Sequence, residues 1–244
     1  MNRERFRFLA CSHLESDLLI GVPHTRFSGE MEQTALQELK RMRKLLEAHG
    51  KTHPGFFTSL EPLPDPPIDL SSGTPAVPAE VLAMLRCGRA TGTGPMSSVA
   101  GLFAERVGSQ LASEYGLEEV LVENGGDLFI MNQSPVTAVI HAGASPLSGN
   151  LGLVIPKGSW GICTSSGTVG HSFSYGTADA VTVVSGEASL ADAWATALAN
   201  LVSAPEDIDM VMEKVSHIPE ILGCVVILGD RIGIRGRFEL KPLS

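Results

Sequence analysis

With 244 residues, the chain is long enough for one large domain or two small ones with a sizeable core. Its 43% apolar and 18% charged residues are ordinary for a globular protein, while a formal charge of −9 argues against non-specific nucleic-acid binding. An anionic ligand is still allowed, because a metal or backbone amides can supply local positive potential. Four cysteines (Cys11, Cys87, Cys163, Cys224) lie far apart without a C-x-x-C pair, which fits a reducing cytosol better than a zinc site or disulfide framework. The opening MNRERFRFLA lacks the apolar run of a signal peptide, and no stretch is long enough to span a bilayer. The expectation is a cytoplasmic protein with no membrane or nucleic-acid partner.

Residues 3–8 alternate charged and aromatic side chains, which predicts a half-buried strand, with residues 13–22 as its partner. Residues 28–49 read as a helix with Met31, Leu36, Leu39, Met42, Leu45 and Leu46 inward and Gly50 as its stop. Seven of the fifteen prolines fall in residues 54–78, an extended wrap that either lies within a single domain or joins two halves. A short helix over 78–87 leads into Gly88-Arg89-Ala90-Thr91-Gly92-Thr93-Gly94-Pro95-Met96-Ser97-Ser98, a glycine-rich loop feeding a helix that Gly116 closes. Free N–H groups at such a helix start can receive an anion, with Thr93 and Gly94 as candidate contacts. Neither the P-loop nor the dinucleotide pattern is present.

Residues 118–123 and 128–131 are strands around Asn124-Gly125-Gly126-Asp127. That tetrapeptide is either a tight hairpin turn or a place where a flat ring or phosphate meets the backbone, with Asp127 accepting a hydrogen bond. Strands follow at 136–141, 151–155, 160–163 and 179–184, the last two separated by Thr164-Ser165-Ser166-Gly167 and His171. A helix opens at Ala188, another spans 205–217, and 220–228 with 231–240 form a hairpin across Gly229-Asp230. Strands in antiparallel pairs between helices predict an α+β fold, antiparallel sheets with helices on one face.

On the helix that opens at Ala188, Asp192 and Thr196 are four residues apart and leave from one face. A carboxylate and a hydroxyl so placed suit a hard cation holding phosphate oxygens. The bland alternative has Asp192 complementing the helix dipole and Thr196 bonded to its own backbone. His171 is the nearby group suited to general-base work at neutral pH, or else a loop histidine bonded to backbone. Cys163 has no evident base and reads as a small buried apolar residue, and His141 as structural.

The order of a glycine-rich loop into a helix, Gly125-Gly126-Asp127, Thr164-Ser165-Ser166-Gly167, Val181-Thr182-Val183 and Ala191-Asp192-Ala193-Trp194-Ala195-Thr196-Ala197 resembles the ApbE superfamily. The likeness covers roughly residues 88–200 and is closest to an uncharacterised branch. Characterised members are magnesium-dependent flavin transferases. The resemblance implies two related T-fold-like halves around a flavin cleft. It also implies Mg²⁺ on Asp192 and Thr196, and transfer of FMN from FAD to a threonine or serine hydroxyl of an acceptor protein. Asn124, Gly125, Gly126, Asp127, Thr164, Ser165, Ser166 and Gly167 would then lie against the flavin nucleotide.

Three departures stand out. Ser97-Ser98-Val99 replaces the family's Lys-Gly pair, only residues 168–179 remain of a longer His-bearing segment, and a Met-Gly-Thr strand is reduced to Leu19-Ile20-Gly21. The metal end is kept while the part gripping FAD and acceptor is altered. Two readings follow: a divergent transferase, or a flavin- or nucleotide-binding protein without the chemistry.

Overall fold

The structure, a computed structural model, describes residues 4–64, 77–167 and 176–243. The N-terminal alternation folds as β1 (Phe6–His13) hairpinned to β2 (Ser16–Pro23), so the first strand starts and ends later than its charge pattern suggests. β3 (Val120–Asn124) and β4 (Asp127–Asn132) form a second hairpin. With β7 (Gly158–Ser165), β8 (Ala180–Ser185), β9 (Gly223–Leu228) and β10 (Arg231–Gly236) they build an eight-stranded sheet in the order β1-β2-β3-β4-β7-β8-β9-β10. Every neighbouring pair is antiparallel. β2, from before the proline-rich segment, pairs with β3 from after it.

A smaller sheet of three strands contains β5 (Val136–Ile140), β6 (Leu151–Ile155) and β11 (Glu239–Pro242). The expected single strand over 231–240 is therefore two. The chain leaves the large sheet after Gly236 and pairs with β6 in the small one, because Phe238 is drawn into the core between the sheets. That core holds Ile130, Ile140, Leu153, Ile155, Ile162 and Val225.

Helices cover the opposite face of the large sheet, as the strand order predicts. They are α1 (Met31–Thr52), α2 (Ala79–Thr91), α3 (Val99–Tyr115) and α4 (Ala188–Ala199), with α5 (Asp207–Ser216) against β9 and β10. α1 buries Met31, Leu39, Met42 and Leu46, while Leu36 and Leu45 sit at the margin of its apolar stripe. Gly50 does not end this helix. A side chain there would collide with the Phe57 ring, so the glycine is kept for packing and the helix runs on to Thr52. α2 likewise continues through Gly88 to Thr91 and ends at Gly92 in the left-handed region (φ 76°). The glycine-rich loop is thus shorter than the sequence suggests: Gly92 to Gly94, then a 3-10 turn over Pro95–Ser98 that opens α3. Among the described residues no helix is long and apolar enough to cross a membrane.

α3 and α4 meet at unusually short range. A Cβ added at Gly101 would lie 2.3 Å from the Ala188 carbonyl oxygen and 2.9 Å from the Asp192 Cβ, both fixed parts of α4. Gly101→Ala is therefore expected to lower stability by about 1–3 kcal/mol, the usual cost of overpacking a closed core. Urea unfolding would show this as a lower midpoint at unchanged slope, and an unaltered midpoint would mean the two helices are free to separate.

Candidate functional site

Neither helix at this contact is capped by its own preceding residue. Each is capped by the other. The Asp192 carboxylate of α4 accepts the Gly101 N–H of α3 at 2.9 Å and a bond from the Ala100 N–H. In return the Glu105 carboxylate of α3 accepts the Ala188 N–H at 2.9 Å and the Ser189 N–H at 3.5 Å, the first amides of α4. Helix starts carry unpaired N–H groups and partial positive charge, so each carboxylate finds a complementary end. Glu105 shares one face of α3 with Gly101 and Leu102. A carboxylate within a small and apolar stripe is the signal by which its role is readable from sequence.

The Asn124-Gly125-Gly126-Asp127 turn closes the β3–β4 hairpin, with Asn124 opposite Asp127 and both glycines at positive φ (63° and 104°). The hairpin reading of this tetrapeptide holds, and the turn also delivers two buried polar groups to the helix side. The Asn124 side-chain amide donates to the Ala100 carbonyl at 3.1 Å, beside the start of α3. Asp127 accepts the Thr164 N–H and lies against the Cys163 thiol, which itself reaches the Ala188 carbonyl at 3.3 Å. Asp127 and Asp192 are thus near neighbours beneath α3 and α4, each with no more than a tenth of its surface exposed.

Burial raises the pKa of both carboxyls. Asp127 is driven well above the usual carboxylate range by burial and then by the charge of Asp192. Asp192 is pushed up to about 7 by burial, against the pull of the Gly101 and Ala100 amides. Cys163 is fully buried, and the same burial and the two aspartates raise its thiol, so it stays a neutral packed group. That agrees with the small apolar role read from sequence.

Two hydroxyls share this region without a hydrogen-bond partner among the described residues. Ser165 Oγ is buried and accepts or donates no hydrogen bond among them. It lies two residues beyond Cys163 on β7, hence on the same face of the sheet. Thr196, one turn beyond Asp192, is half-buried and makes no side-chain hydrogen bond among the described residues. Among the described residues no three His, Cys, Asp or Glu side chains are grouped to hold a metal. A hard cation here would take its donors from two carboxylates and hydroxyl oxygens, the set such ions prefer.

The remaining candidates divide between places. Thr93 Oγ1 is 2.7 Å from both Thr91 Oγ1 and Ser97 Oγ, a local hydroxyl chain, and Gly94 packs on the Ser59 carbonyl. Gly167 N–H donates to the Ala178 carbonyl at 2.9 Å. Gly125, Gly126, Thr164 and Ser166 line a cavity of about 780 Å³ between the large sheet and the small one. Its walls include Phe8, Leu121, Ile130 and Ile140, with the exposed His141 among its lining residues. Thr182, which the sequence shows only as part of the Val-Thr-Val strand and without a site role, joins Thr164 there through a 2.8 Å hydroxyl contact. The acidic pair and the cavity therefore sit at one end of the strands, on opposite faces, with the glycine turn between them. His171 lies outside the described residues.

The raised carboxyl pKa values fix a sign. Without a metal, folded Asp127 and Asp192 hold protons that the unfolded chain releases near pH 4. Between there and about pH 7 the native state binds more protons, so stability falls as pH rises. In EDTA, urea midpoints are expected to drop from pH 5 to pH 8, and Asp192→Asn to flatten that slope. A wild-type slope that Asp192→Asn leaves unchanged would place the charge elsewhere.

A family model described as AbpE bacteria matches residues 1–218. A UPF0280 protein of Methanococcus aeolicus is 36% identical over 93% of this chain and 88% of its own length. Another, from Methanothermobacter thermautotrophicus, is 38% identical over 86% of each chain. Among solved structures, the ApbE protein of Thermotoga maritima aligns over 95% of this chain and 97% of its own, with a TM-score of 0.58 at 14% identity. The apo flavinyl transferase ApbE of Pseudomonas stutzeri aligns over 96% of both chains, with a TM-score of 0.55 at 16% identity. At such identities the likeness is one of fold, and it agrees with the α+β arrangement of antiparallel sheets and one helical face. The chain belongs to the family described as AbpE bacteria, is a relative of the UPF0280 proteins at 36–38% identity, and is built on the ApbE fold.

Proposed function

We propose that the chain is a divergent magnesium-dependent flavin transferase, moving FMN from FAD to a threonine or serine hydroxyl of an acceptor protein. The observation that carries this reading is the buried Asp127–Asp192 pair with the buried Ser165 and half-buried Thr196 hydroxyls in the same region, neither hydrogen-bonded among the described residues. Two buried carboxylates repel and are costly to ionise together unless a cation lies between them. Asp192 and Thr196 would hold Mg²⁺, with Asp127 facing them. Bound there, the ion would offset the negative charge of a pyrophosphate.

The chain's own groups account for the rest. The glycine turn lets phosphate oxygens approach the backbone without side-chain hindrance. The apolar cavity walls accept a flat ring, and the paired Thr164 and Thr182 hydroxyls orient its polar edge. The acceptor hydroxyl attacks the phosphorus on the FMN side, its new O–P bond replaces the bond to AMP, and its proton passes to a base. His171 is the group proposed for that base.

A second reading is favoured by one contact. Asp192 already serves the Gly101 and Ala100 amides, so the helices dock without a cation. On that reading the protein binds a flavin or another nucleotide and does not turn it over. The two readings separate when protein, FAD, Mg²⁺ and a candidate acceptor are incubated and AMP is measured. A transferase releases AMP and leaves flavin on the acceptor, and Asp192→Ala lowers the rate on the order of 100-fold or more. Thr196→Ser, which keeps the hydroxyl, retains more activity than Thr196→Val. Flavin retained without AMP selects the binding protein, and failure to bind flavin removes both.

A further inference from the structure

β10 is the last strand of the large sheet and, among the described residues, pairs with β9 alone. Its sequence is Arg231-Ile232-Gly233-Ile234-Arg235-Gly236, with Arg237 following. Gly233 packs on Ile208 and Met212 of α5, so Arg231 and Arg235 share the α5 face while Ile232 and Ile234 point the other way. The two isoleucines are 37% and 51% exposed, large values for β-branched residues in a strand. Arg231 and Arg235 are exposed and have no acidic partner among the described residues. Arg237 lies 5.5 Å over the Trp160 ring. An edge that is basic and apolar thus stands out on a chain whose formal charge is −9.

The edge is also held in shape. Ser145 Oγ donates to the Gly229 carbonyl at 2.6 Å, and the Gly229 N–H donates to Asp179 at 2.7 Å, which pins the β9–β10 turn. A preformed strand loses little entropy when another strand joins it. Exposed edges of this kind are pairing templates unless charge or cover blocks them.

We propose that β10 is a docking edge for an extended acidic–apolar segment of a partner protein, which adds to the large sheet as a ninth strand. Main-chain hydrogen bonds supply attachment, Ile232 and Ile234 meet apolar side chains on one face, and Arg231 and Arg235 meet carboxylates on the other. Charge complementarity selects this occupant over a second copy of the chain. The antiparallel register that sets isoleucine against isoleucine places Arg231 opposite Arg235, like charge against like.

The test uses the full chain and a fluorescent, acetylated peptide of alternating glutamate and valine, followed by anisotropy. Saturable binding is expected, weakened at least about tenfold in an Arg231→Glu/Arg235→Glu variant and by Ile234→Lys. A lysine–valine peptide and a backbone N-methylated glutamate–valine peptide are expected to bind at least about tenfold more weakly, because one reverses the charge and the other removes the edge hydrogen bonds. These surface variants are checked by unchanged thermal unfolding. Absence of binding, equal binding of the lysine or N-methylated peptide, or indifference to both variants overturns the proposal. So does a concentration-dependent dimer in sedimentation that Ile234→Lys abolishes, since that assigns the edge to a second copy.

Discussion

The reciprocal capping of α3 and α4 is the constraint on which the candidate site depends. Asp192 leaves α4 to satisfy the first amides of α3, and Glu105 leaves α3 to satisfy those of α4. The exchange requires the two backbones to approach within a distance that Gly101 alone permits. It sets where α4 lies on the sheet, hence where Asp192 and Thr196 stand relative to the β3–β4 turn. Glu105 is itself raised in pKa by burial despite its two amide bonds, so the contact is electrostatically tense on both sides.

Burial gives the acidic pair its chemical character. At the surface Asp127 and Asp192 would both be ionised and hydrated, with little to distinguish them from other carboxylates. Beneath two helices their charges are expensive, and the cost is met by protons, by amides or by a cation. The amides of α3 meet part of the cost at Asp192, while Asp127 is met by the Thr164 N–H and the Cys163 thiol. This asymmetry leaves the site open both to a metal-dependent reaction and to a quieter binding role.

The large sheet separates two environments at one end of its strands. Side chains alternate across it, so Cys163 and Asp127 face the helices while Thr164 faces the cavity. A ligand using both must pass over the Gly125–Gly126 turn, where the absence of side chains leaves the backbone accessible. At its far edge the same sheet ends in β10, where exposed arginines contrast with the acidic remainder of the chain. The sheet thus supplies the partition of the site and an exposed edge remote from it in strand order.

Local chemistry determined much of this in the sequence itself. The apolar stripe of α1, the Asn-Gly-Gly-Asp turn, the antiparallel strand pairs and the i, i+4 spacing of Asp192 and Thr196 follow from periodicity and turn preference, which act over a few residues. Gly50 does not act as a helix stop and Gly88 does not open the loop, because glycine also serves close packing, and only the neighbour across the contact distinguishes the uses. The division of Asp127 from Thr164 onto opposite faces, the partnership of Asp192 with Gly101, and the raised pKa values were decided by tertiary structure alone. Each depends on groups far apart in the chain being brought together out of water, and neither desolvation nor a contact 91 residues long in sequence is written in any local pattern.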